Sequence, residues 1–261
     1  MAQLVSGDTA AHNGAAPPGQ EPEEEGMTML EHLEELRQRI IVGAIAFILG
    51  LIASAVPLPP DWSKNLTWMV INAVVEPVGF EHIQAIKPAE VFFTYFQVAM
   101  LIGLALAMPA IIYQIMGFVT PALLPHEKKY FYMAVLGATL SFVIGIAFGY
   151  SLILPAAVKF LIAFGGDTVQ QRWSFAEYAD TATTLLFWMG LAFELPLAIF
   201  FLCKLRVLNV QRLTSLRKYF LVGAFVIGAI ITPTPDPFNQ TLVSLPLYFL
   251  FEIGLLLARL A

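Results

Sequence analysis

The sequence predicts an all-α membrane protein, built as a bundle of six transmembrane helices. Composition is the first observation: 58% of the 261 residues are hydrophobic and only 13% are charged, whereas soluble domains carry about 25% charged residues. The second is the length of the apolar windows, several of which approach the about 20 residues that cross a bilayer. The third is the distribution of lysine and arginine among the connecting segments.

Residues 1–26 form an acidic leader that we expect to be disordered. It contains GQEPEEEG and several Gly, Ala and Pro, without apolar periodicity, a composition typical of disordered segments. The leader has neither a basic start nor an apolar stretch, so it is not a secretory signal. The predicted organisation is therefore this tail followed by one transmembrane domain of six helices, residues 27–261.

An amphipathic helix is predicted to lead into the first span from the inner membrane surface. Thr28 and Glu31 have the S/T-x-x-E spacing of a capping box. Apolar residues then recur at three- and four-residue spacing and form one face of the helix: Leu30, Leu33, Leu36 and Ile40. Such a helix lies on the inner surface and continues into the first span.

Charged side chains follow a different face of the same helix. His32, Glu35 and Arg39 recur at i, i+3 and i+7. Taken alone, Glu35 and Arg39 would form an i, i+4 pair worth a few tenths of a kcal/mol. Glu31 lies one turn before Glu35, and the repulsion between these two carboxylates indicates that the acidic face has a use beyond helix support.

Six apolar windows define the predicted spans. In chain order they are Ile40–Val56, Val91–Ile115 (interrupted by Pro109), Phe131–Val158, Tyr178–Cys203, Phe220–Ile231 and Thr241–Ala258. At 1.5 Å per residue the last two give only about 18–27 Å, less than the ~30 Å hydrocarbon core. The lipid is then thinned, or a protein neighbour covers the ends, or the bundle is tilted with frayed helix ends. The proline-rich TPTPDPFNQ stops both helices.

The basic residues orient the bundle with both termini on the cytoplasmic side. With the N-terminus inside, the cytoplasmic segments hold ten of the fourteen Lys and Arg, in agreement with the positive-inside rule. The outer segments hold the other four: Lys64, Lys87, Lys159 and Arg172. Tryptophans suited to an interfacial belt also lie outside: Trp62, Trp68 and Trp173.

Glu194 is an acid in the middle of an apolar span, LLFWMGLAFELPLAIFFLC. A charge at the bilayer centre costs about 2.5–3.5 kcal/mol on insertion scales, and such residues usually face a cavity or a partner. Pro196 frees a backbone carbonyl near Ala192 and permits a kink. Glu194 is expected either to line the concave face of the bundle or to link helices through Gln, Thr or Tyr. A second acid, Glu252, is expected to snorkel to the cytoplasmic surface.

These motifs together resemble a known family. HLEELRQR (His32–Arg39) resembles the N-terminal signature of TatC, the multispanning subunit of the twin-arginine protein translocase. The resemblance continues in order through AMPAIIYQIMGFVTPALLPHEKKY, FGYSLILPAAVKFL, GLAFELPLAIFFL and RKYFLVGAFVIGAIITPTPDPFNQTLVSLPLYFLFEIGLLLAR. It covers about Leu30 to Arg259, but neither the acidic leader nor the first outer region, Pro57–Glu90, matches anything specific.

The resemblance implies a receptor for folded proteins whose signal peptides carry two consecutive arginines. By motif position, the cytoplasmic glutamates that hold this pair are Glu35 and Glu127. A guanidinium pairs with a carboxylate through two parallel hydrogen bonds, which lysine cannot reproduce. The residues expected to support the site are His32, Leu33, Arg37, Arg39 and Phe118. The arginines would orient the carboxylates and face anionic lipid, whereas Phe118 offers apolar surface to the signal or simply packs at the interface.

The resemblance also implies an intramembrane polar site for a partner helix, formed by Glu194, Asp236 and Gln240. Asp236 could equally cap the last helix near Asn239. The implied partners are twin-arginine signal peptides, small single-span subunits of the TatA and TatB type, the lipid bilayer and further copies in a larger complex, but no nucleic acid. The implied location is the bacterial cytoplasmic (inner) membrane, and the implied driving force is the proton-motive force.

No catalytic residue, cofactor or metal is expected. The sequence lacks H-E-x-x-H, G-x-S-x-G and a Walker A loop, and His32 and His126 without a cysteine pair are a weak metal signal. The alternative function is an ion-coupled secondary transporter with Glu194 as its relay. That class predicts internal repeats and paired broken helices, which are not evident, and it gives no reason for the inner-surface glutamates.

Overall fold

The computed structural model describes residues 29–57, 65–79, 83–119, 128–165, 172–232 and 236–260. Within these ranges the chain forms ten α-helices, one π-helical segment and two very short strands. The helices are α1 (Met29–Ala55), α2 (Leu66–Val75), α3 (Glu90–Val119), α4 (Lys128–Phe148), α5 (Leu154–Gly165), α6 (Phe175–Phe193), α7 (Leu195–Lys204), α8 (Val210–Ser215), α9 (Arg217–Ile231) and α10 (Pro237–Arg259). The π-helical segment is Gly149–Ile153, and the strands are β1 (Ile83–Gln84) and β2 (Trp173–Ser174).

Five helical stretches are long and apolar enough to cross a membrane. They are Leu30–Ala55, Glu90–Phe118, Tyr132–Phe164, Phe175–Lys204 and Pro237–Arg259. The prediction of a multi-pass helical membrane protein is therefore confirmed. The predicted fifth span coincides with α9, which has 15 residues and so a length of about 22 Å. That α9 crosses the bilayer stays a prediction, and so does the total of six transmembrane helices.

The prediction that the last span is short is wrong. α10 has 23 residues and begins at Pro237, ahead of the expected Thr241. Asp236 is its N-cap, and the side chain accepts a hydrogen bond of 2.7 Å from the Asn239 backbone N–H. A proline in the first turn costs the helix no hydrogen bond, because the backbone N–H groups of that turn have no acceptor within the helix. The polar residues after Pro237 are thus the capped start of a helix.

α1 is one continuous helix, and it packs closely along α3. A Cβ on Gly50 would lie 2.4 Å from the Gly103 carbonyl oxygen, and a Cβ on Gly103 would lie 2.8 Å from the Leu51 nitrogen. The two backbones therefore touch where these glycines meet. α3 continues through Pro109 without ending. Thr28, half of the predicted capping box, lies outside the described residues.

The third and fourth spans are each composed of two helices. α4 passes through the π-helical segment into α5, and α6 passes into α7 at Glu194. The Glu194 N–H bonds the Leu191 carbonyl at 3.1 Å, a tight final turn, and α7 then begins with Pro196 in its first turn. The helix is therefore interrupted beside Pro196, with Glu194 at the joint.

A small cap joins the ends of α3 and α6 that the sequence assigns to the outer side. β1 and β2 pair in parallel, Ile83 with Trp173 and Gln84 with Ser174. Beside them the buried Glu90 carboxylate accepts hydrogen bonds from the backbone of Ile86 (2.7 Å), Lys87 (2.9 Å) and Ala176 (2.7 Å), and from the Ser174 hydroxyl. One carboxylate therefore ties the start of α3 to the start of α6.

Candidate functional site

The predicted inner-surface residues converge where α1 begins and α3 ends. The His32 ring from α1 stacks on the Phe118 ring from α3, with centroids 4.3 Å apart and planes 24° apart. Because α1 is helical from Met29 onward, Glu35 and Arg39 follow His32 on the same side of the helix. Packing of α1 along α3 therefore brings the charged face of α1 to the end of α3.

Glu35 and Arg39 form the ion pair that their spacing allows, and α3 takes part in it. Arg39 Nε donates to Glu35 Oε1 at 3.0 Å, and Nη2 donates to the same oxygen. Nη1 is 3.4 Å from the Gln114 carbonyl oxygen on α3. The two side chains are only 23% and 21% exposed. The pair therefore links two helices, which a solvated i, i+4 pair on a single helix would not do.

The second carboxylate oxygen of Glu35 is not used by the pair. Oε2 is buried and receives no hydrogen bond from the described part of the chain. A carboxylate offers about four acceptor positions on its two oxygens, and here Arg39 engages one oxygen only. Glu35 thus keeps one acceptor oxygen without a hydrogen bond among the described residues.

Gly117 makes room for Arg39. A Cβ at position 117 would lie 2.0 Å from Arg39 Nη1, so any larger residue would push the guanidinium from its position. Sequence reasoning missed this glycine, because nothing in the local pattern of α3 relates it to a side chain 78 positions earlier.

The remaining predicted members of the site are only partly placed. Leu33 is 57% exposed and Arg37 is also exposed, so both face outward from α1. Glu127 lies outside the described residues, as does His126. The approach of Glu127 to Glu35 stays a prediction.

An apolar cavity of about 700 Å³ begins at this cluster and extends between α1, α3 and α6. Its inner end is lined by Leu36, Arg39 and Phe118, and its outer end by Gln97 and Thr183. Gln97 Nε2 donates to Asp180 Oδ1 at 2.6 Å and to Thr183 Oγ1 at 3.0 Å. This polar link between α3 and α6 was not predicted. The available signal was a polar residue near the start of each of two apolar windows, Gln97 in the second and Thr183 in the fourth.

Glu194 lies apart from that cavity. The α6 residues that line the cavity end with Phe187, about two turns before Glu194. Glu194 Oε1 is buried and has no hydrogen-bond partner among the residues that the structure describes. Next to Glu194, the Ser141 hydroxyl donates to the Phe193 carbonyl at 2.6 Å. The proposed link through Gln, Thr or Tyr therefore finds no support in the described contacts of Oε1.

Asp236 and Gln240 both act at the joint between α9 and α10. Asp236 caps α10, as one of the two interpretations expected, and Gln240 Nε2 donates to the Phe225 carbonyl of α9 at 2.9 Å. Ser244, one turn further, donates to the Ala224 carbonyl of α9 at 3.0 Å. A polar seam thus holds α9 against α10.

Glu252 forms an ion pair between α9 and α10, and its expected snorkelling to the cytoplasmic surface stays a prediction. Its carboxylate pairs with Arg217 Nη2 at 2.7 Å and accepts a hydrogen bond of 2.9 Å from the Tyr248 hydroxyl. Next to it the rings of Phe220 and Phe251 stack with centroids 4.0 Å apart. Arg217 begins α9, so this ion pair fastens the start of α9 to α10. No cluster of three or more metal-ligating side chains occurs within the described ranges.

A family profile and the sequences of known proteins both match this chain to the same family. The sequence profile of "Sec-independent protein translocase protein (TatC)" matches residues 31–246. The TatC protein of Deinococcus radiodurans is 36% identical over 247 residues, which cover 91% of this chain and 88% of that protein. The TatC protein of Aquifex aeolicus is 35% identical over 237 residues, covering 90% and 96%.

Solved structures agree with the sequence comparisons. A crystal structure described as the twin-arginine translocase receptor TatC superposes with a TM-score of 0.76 at 35% identity, covering 88% of this chain and 99% of that chain. A second, described as the same receptor in DDM, has a TM-score of 0.77 at 36% identity and covers 87% and 99%. Fold and sequence therefore point to one family.

Proposed function

The chain belongs to the TatC family of Sec-independent protein translocase proteins, and from this premise we propose that it is the core receptor subunit of a twin-arginine translocation system. It binds the twin-arginine signal peptides of folded proteins at its cytoplasmic face and nucleates the export complex. Members of this family are translocase components and not enzymes. The observation that carries the proposal is the Glu35 carboxylate, held between α1 and α3 with one oxygen unmet.

Two carboxylates hold the two arginines of the signal. Glu35 supplies one, and Glu127, from the segment between α3 and α4, supplies the other. Each guanidinium needs a planar partner with two acceptor oxygens, which a carboxylate provides. His32, Leu33, Arg37 and Phe118 surround the site and set the position of the peptide.

The apolar part of the signal lies in the cavity between α1, α3 and α6. Support comes from the continuity of that cavity with the arginine site, because Arg39 and Phe118 line its inner end. A volume of about 700 Å³ is within the ~300–1,000 Å³ range of pockets that hold a small ligand. It accommodates a few apolar side chains rather than a whole helix, so only the start of the apolar segment enters it.

The chain lies in the bacterial cytoplasmic membrane with six spans and both termini in the cytoplasm, and α9 is the short fifth span. The positive-inside distribution of lysine and arginine supports this orientation. The acidic leader, residues 1–26, lies outside the described residues, and its disorder stays a prediction.

Small single-span subunits of the TatA and TatB type assemble around this chain, and several copies join in one complex driven by the proton-motive force. Glu194, with its unmet buried oxygen, is the contact for polar groups of a partner helix, and Asp236 and Gln240 shape the nearby seam of α9 and α10. A secondary transporter with Glu194 as an ion relay is not favoured, because it leaves the Glu35 cluster without a role.

Crosslinking tests the receptor function. A photoreactive residue in a twin-arginine signal peptide should crosslink to α1 and to the end of α3 in native membranes. Glu35→Gln and Glu127→Gln should each reduce the crosslink by at least about tenfold, the loss expected for one charge-assisted pair. Glu34→Gln, at the exposed neighbouring position, is the matched control. Unchanged crosslinking in both variants would refute the assigned site.

A further inference from the structure

We propose that Arg39 is an internal occupant of the Glu35 site, which holds the receptor closed until a signal-peptide arginine displaces it. This inference rests on the proposed function and adds its regulation: the ligand class is a guanidinium, and the chain already carries one in place. The observations that bear on it are the contacts of Arg39, the state of the two Glu35 oxygens and the space at Gly117.

The Glu35 carboxylate cannot accept a second bidentate guanidinium in the observed arrangement. A parallel pair of N–H···O bonds requires both carboxylate oxygens. Arg39 Nε and Nη2 both bond Oε1, and Oε2 is buried. An incoming arginine therefore finds one oxygen occupied and the other closed to solvent. The pairing that the proposed function requires is available only after Arg39 leaves.

The position of Arg39 is built into α3. Gly117 leaves the space that the guanidinium fills, since a Cβ there would lie 2.0 Å from Nη1. The Gln114 carbonyl oxygen is 3.4 Å from the same nitrogen, a long and therefore weak hydrogen bond. Arg39 is thus guided to a defined position without being fixed in it, as a displaceable occupant requires.

Replacement of Arg39 by a ligand arginine conserves the chemistry at Glu35. A guanidinium leaves and a guanidinium arrives, so the carboxylate keeps its charge partner throughout. Only receptors in which Arg39 is displaced bind the ligand. The apparent association constant is therefore the intrinsic constant multiplied by the fraction of such receptors. The same factor applies to every ligand of this site, whether it carries arginine or lysine.

Binding kinetics of the full-length chain in lipid nanodiscs test the proposal. The probes are two fluorescent synthetic signal peptides that differ only in carrying Arg-Arg or Lys-Lys. Arg39→Gln should tighten the binding of both by about tenfold, the effect of removing one charge-assisted intramolecular bond. The whole gain should appear in the association rate constant, with the dissociation rate constant unchanged, and the preference for Arg-Arg should be retained.

Two variants separate occupancy from the loss of a positive charge. Arg212→Gln removes the same charge from an exposed position of α8, outside the proposed site, and should give a much smaller gain. Gly117→Ala keeps Arg39 but takes its space, so it should also accelerate association. Its matched control is Gly223→Ala, where nothing lies within 4 Å of the added Cβ. Should Arg39→Gln fail to fold, Gly117→Ala alone decides the question.

Weaker or unchanged binding of the Arg-Arg peptide to Arg39→Gln and Gly117→Ala would overturn the proposal, and weaker binding would mean that Arg39 merely positions Glu35. The proposed function fails in a different way. In that case the wild-type chain does not bind the Arg-Arg peptide, or binds it equally well after Glu35→Gln.

Discussion

Three glutamates at or within the membrane-spanning helices have three different surroundings. Glu252 has both oxygens engaged, by Arg217 and by Tyr248. Glu35 has one oxygen engaged by Arg39. Glu194 has a buried oxygen without a partner in the described structure. A satisfied buried acid stabilises the fold, whereas an unsatisfied one is costly to the isolated chain. The order Glu252, Glu35, Glu194 is therefore an order of increasing need for an external partner.

Replacing Glu194 should affect assembly but not stability. Glu194→Ala removes a buried acceptor without a partner, and Glu194→Gln removes the charge at this position, so both should leave the melting temperature in detergent unchanged or raised. Signal-peptide crosslinking should remain, and recruitment of single-span subunits and export should fall several-fold.

Co-purification and an export assay measure the second effect, and Glu177→Gln, at an exposed position, is the control. A clear fall in melting temperature together with normal export would mean that Glu194 links helices within this chain.

At the scale of elements, the α1–α3 contact positions the residues of the proposed receptor site. Glu35 and Arg39 belong to α1, while Gln114, Gly117 and Phe118 belong to α3. Their distances depend on how closely these two helices approach. The approach is set further along, where Gly50 and Gly103 let the backbones touch. In membranes, small residues at a helix crossing allow this close packing and the dispersion contacts that come with it.

Gly50→Ala or Gly103→Ala should force α1 away from α3. The added Cβ would lie 2.4 Å from a backbone atom at Gly50 and 2.8 Å from one at Gly103. Backbone atoms cannot move aside in the way that the end of a flexible side chain can. The expected cost is about 1–3 kcal/mol of stability, the usual range for overpacking, together with weaker signal-peptide binding.

Thermal unfolding in detergent and the crosslinking assay measure the two effects. Gly223→Ala, with no atom within 4 Å of the new Cβ, should change neither. Equal behaviour of all three variants would show that the close approach does not matter.

At the scale of the whole molecule, the two ends of the bundle are built differently. One end is tied by the β1–β2 pairing and by Glu90, which joins the starts of α3 and α6 through four hydrogen bonds. At the other end, α1 and α3 meet through the displaceable contacts of Arg39 and the ring stack of His32 with Phe118. A bundle fastened at one end can adjust at the other without losing its fold.

Glu90→Gln should loosen the fastened end. An amide has a single acceptor oxygen and no charge, so it cannot serve the four donors that the carboxylate serves. The melting temperature should fall by several degrees, while Glu177→Gln, at an exposed position near the start of α6, should have no effect.

A cysteine pair that bridges the starts of α3 and α6 should restore the melting temperature of Glu90→Gln. If Glu90→Gln melts like the wild-type chain, the cap does not hold the outer ends together.

Much of the helical framework follows from local pattern. The apolar windows predicted every long helix to within a few residues at most ends, because a lipid-exposed segment must be apolar over its whole length. The apolar window placed the start of the last helix at Thr241, whereas α10 begins at Pro237 because Asp236 caps it, which was one of the two interpretations of Asp236. Among the site residues, the pairing of Glu35 with Arg39 follows from i, i+4 spacing, but its attachment to Gln114 does not.

By itself, the sequence determined that this is a helical membrane protein of the TatC family with acids at the start of its first helix and within its spans, because hydropathy and motif order are properties of single segments. Only the tertiary structure decided which acids are satisfied. It paired Glu252 with Arg217 on another helix and placed the Arg39 guanidinium against Gly117. It left one oxygen of Glu194 without a hydrogen-bond partner among the described residues. The physical reason is that a hydrogen bond requires atoms within about 3 Å, and helix packing alone brings distant segments that close.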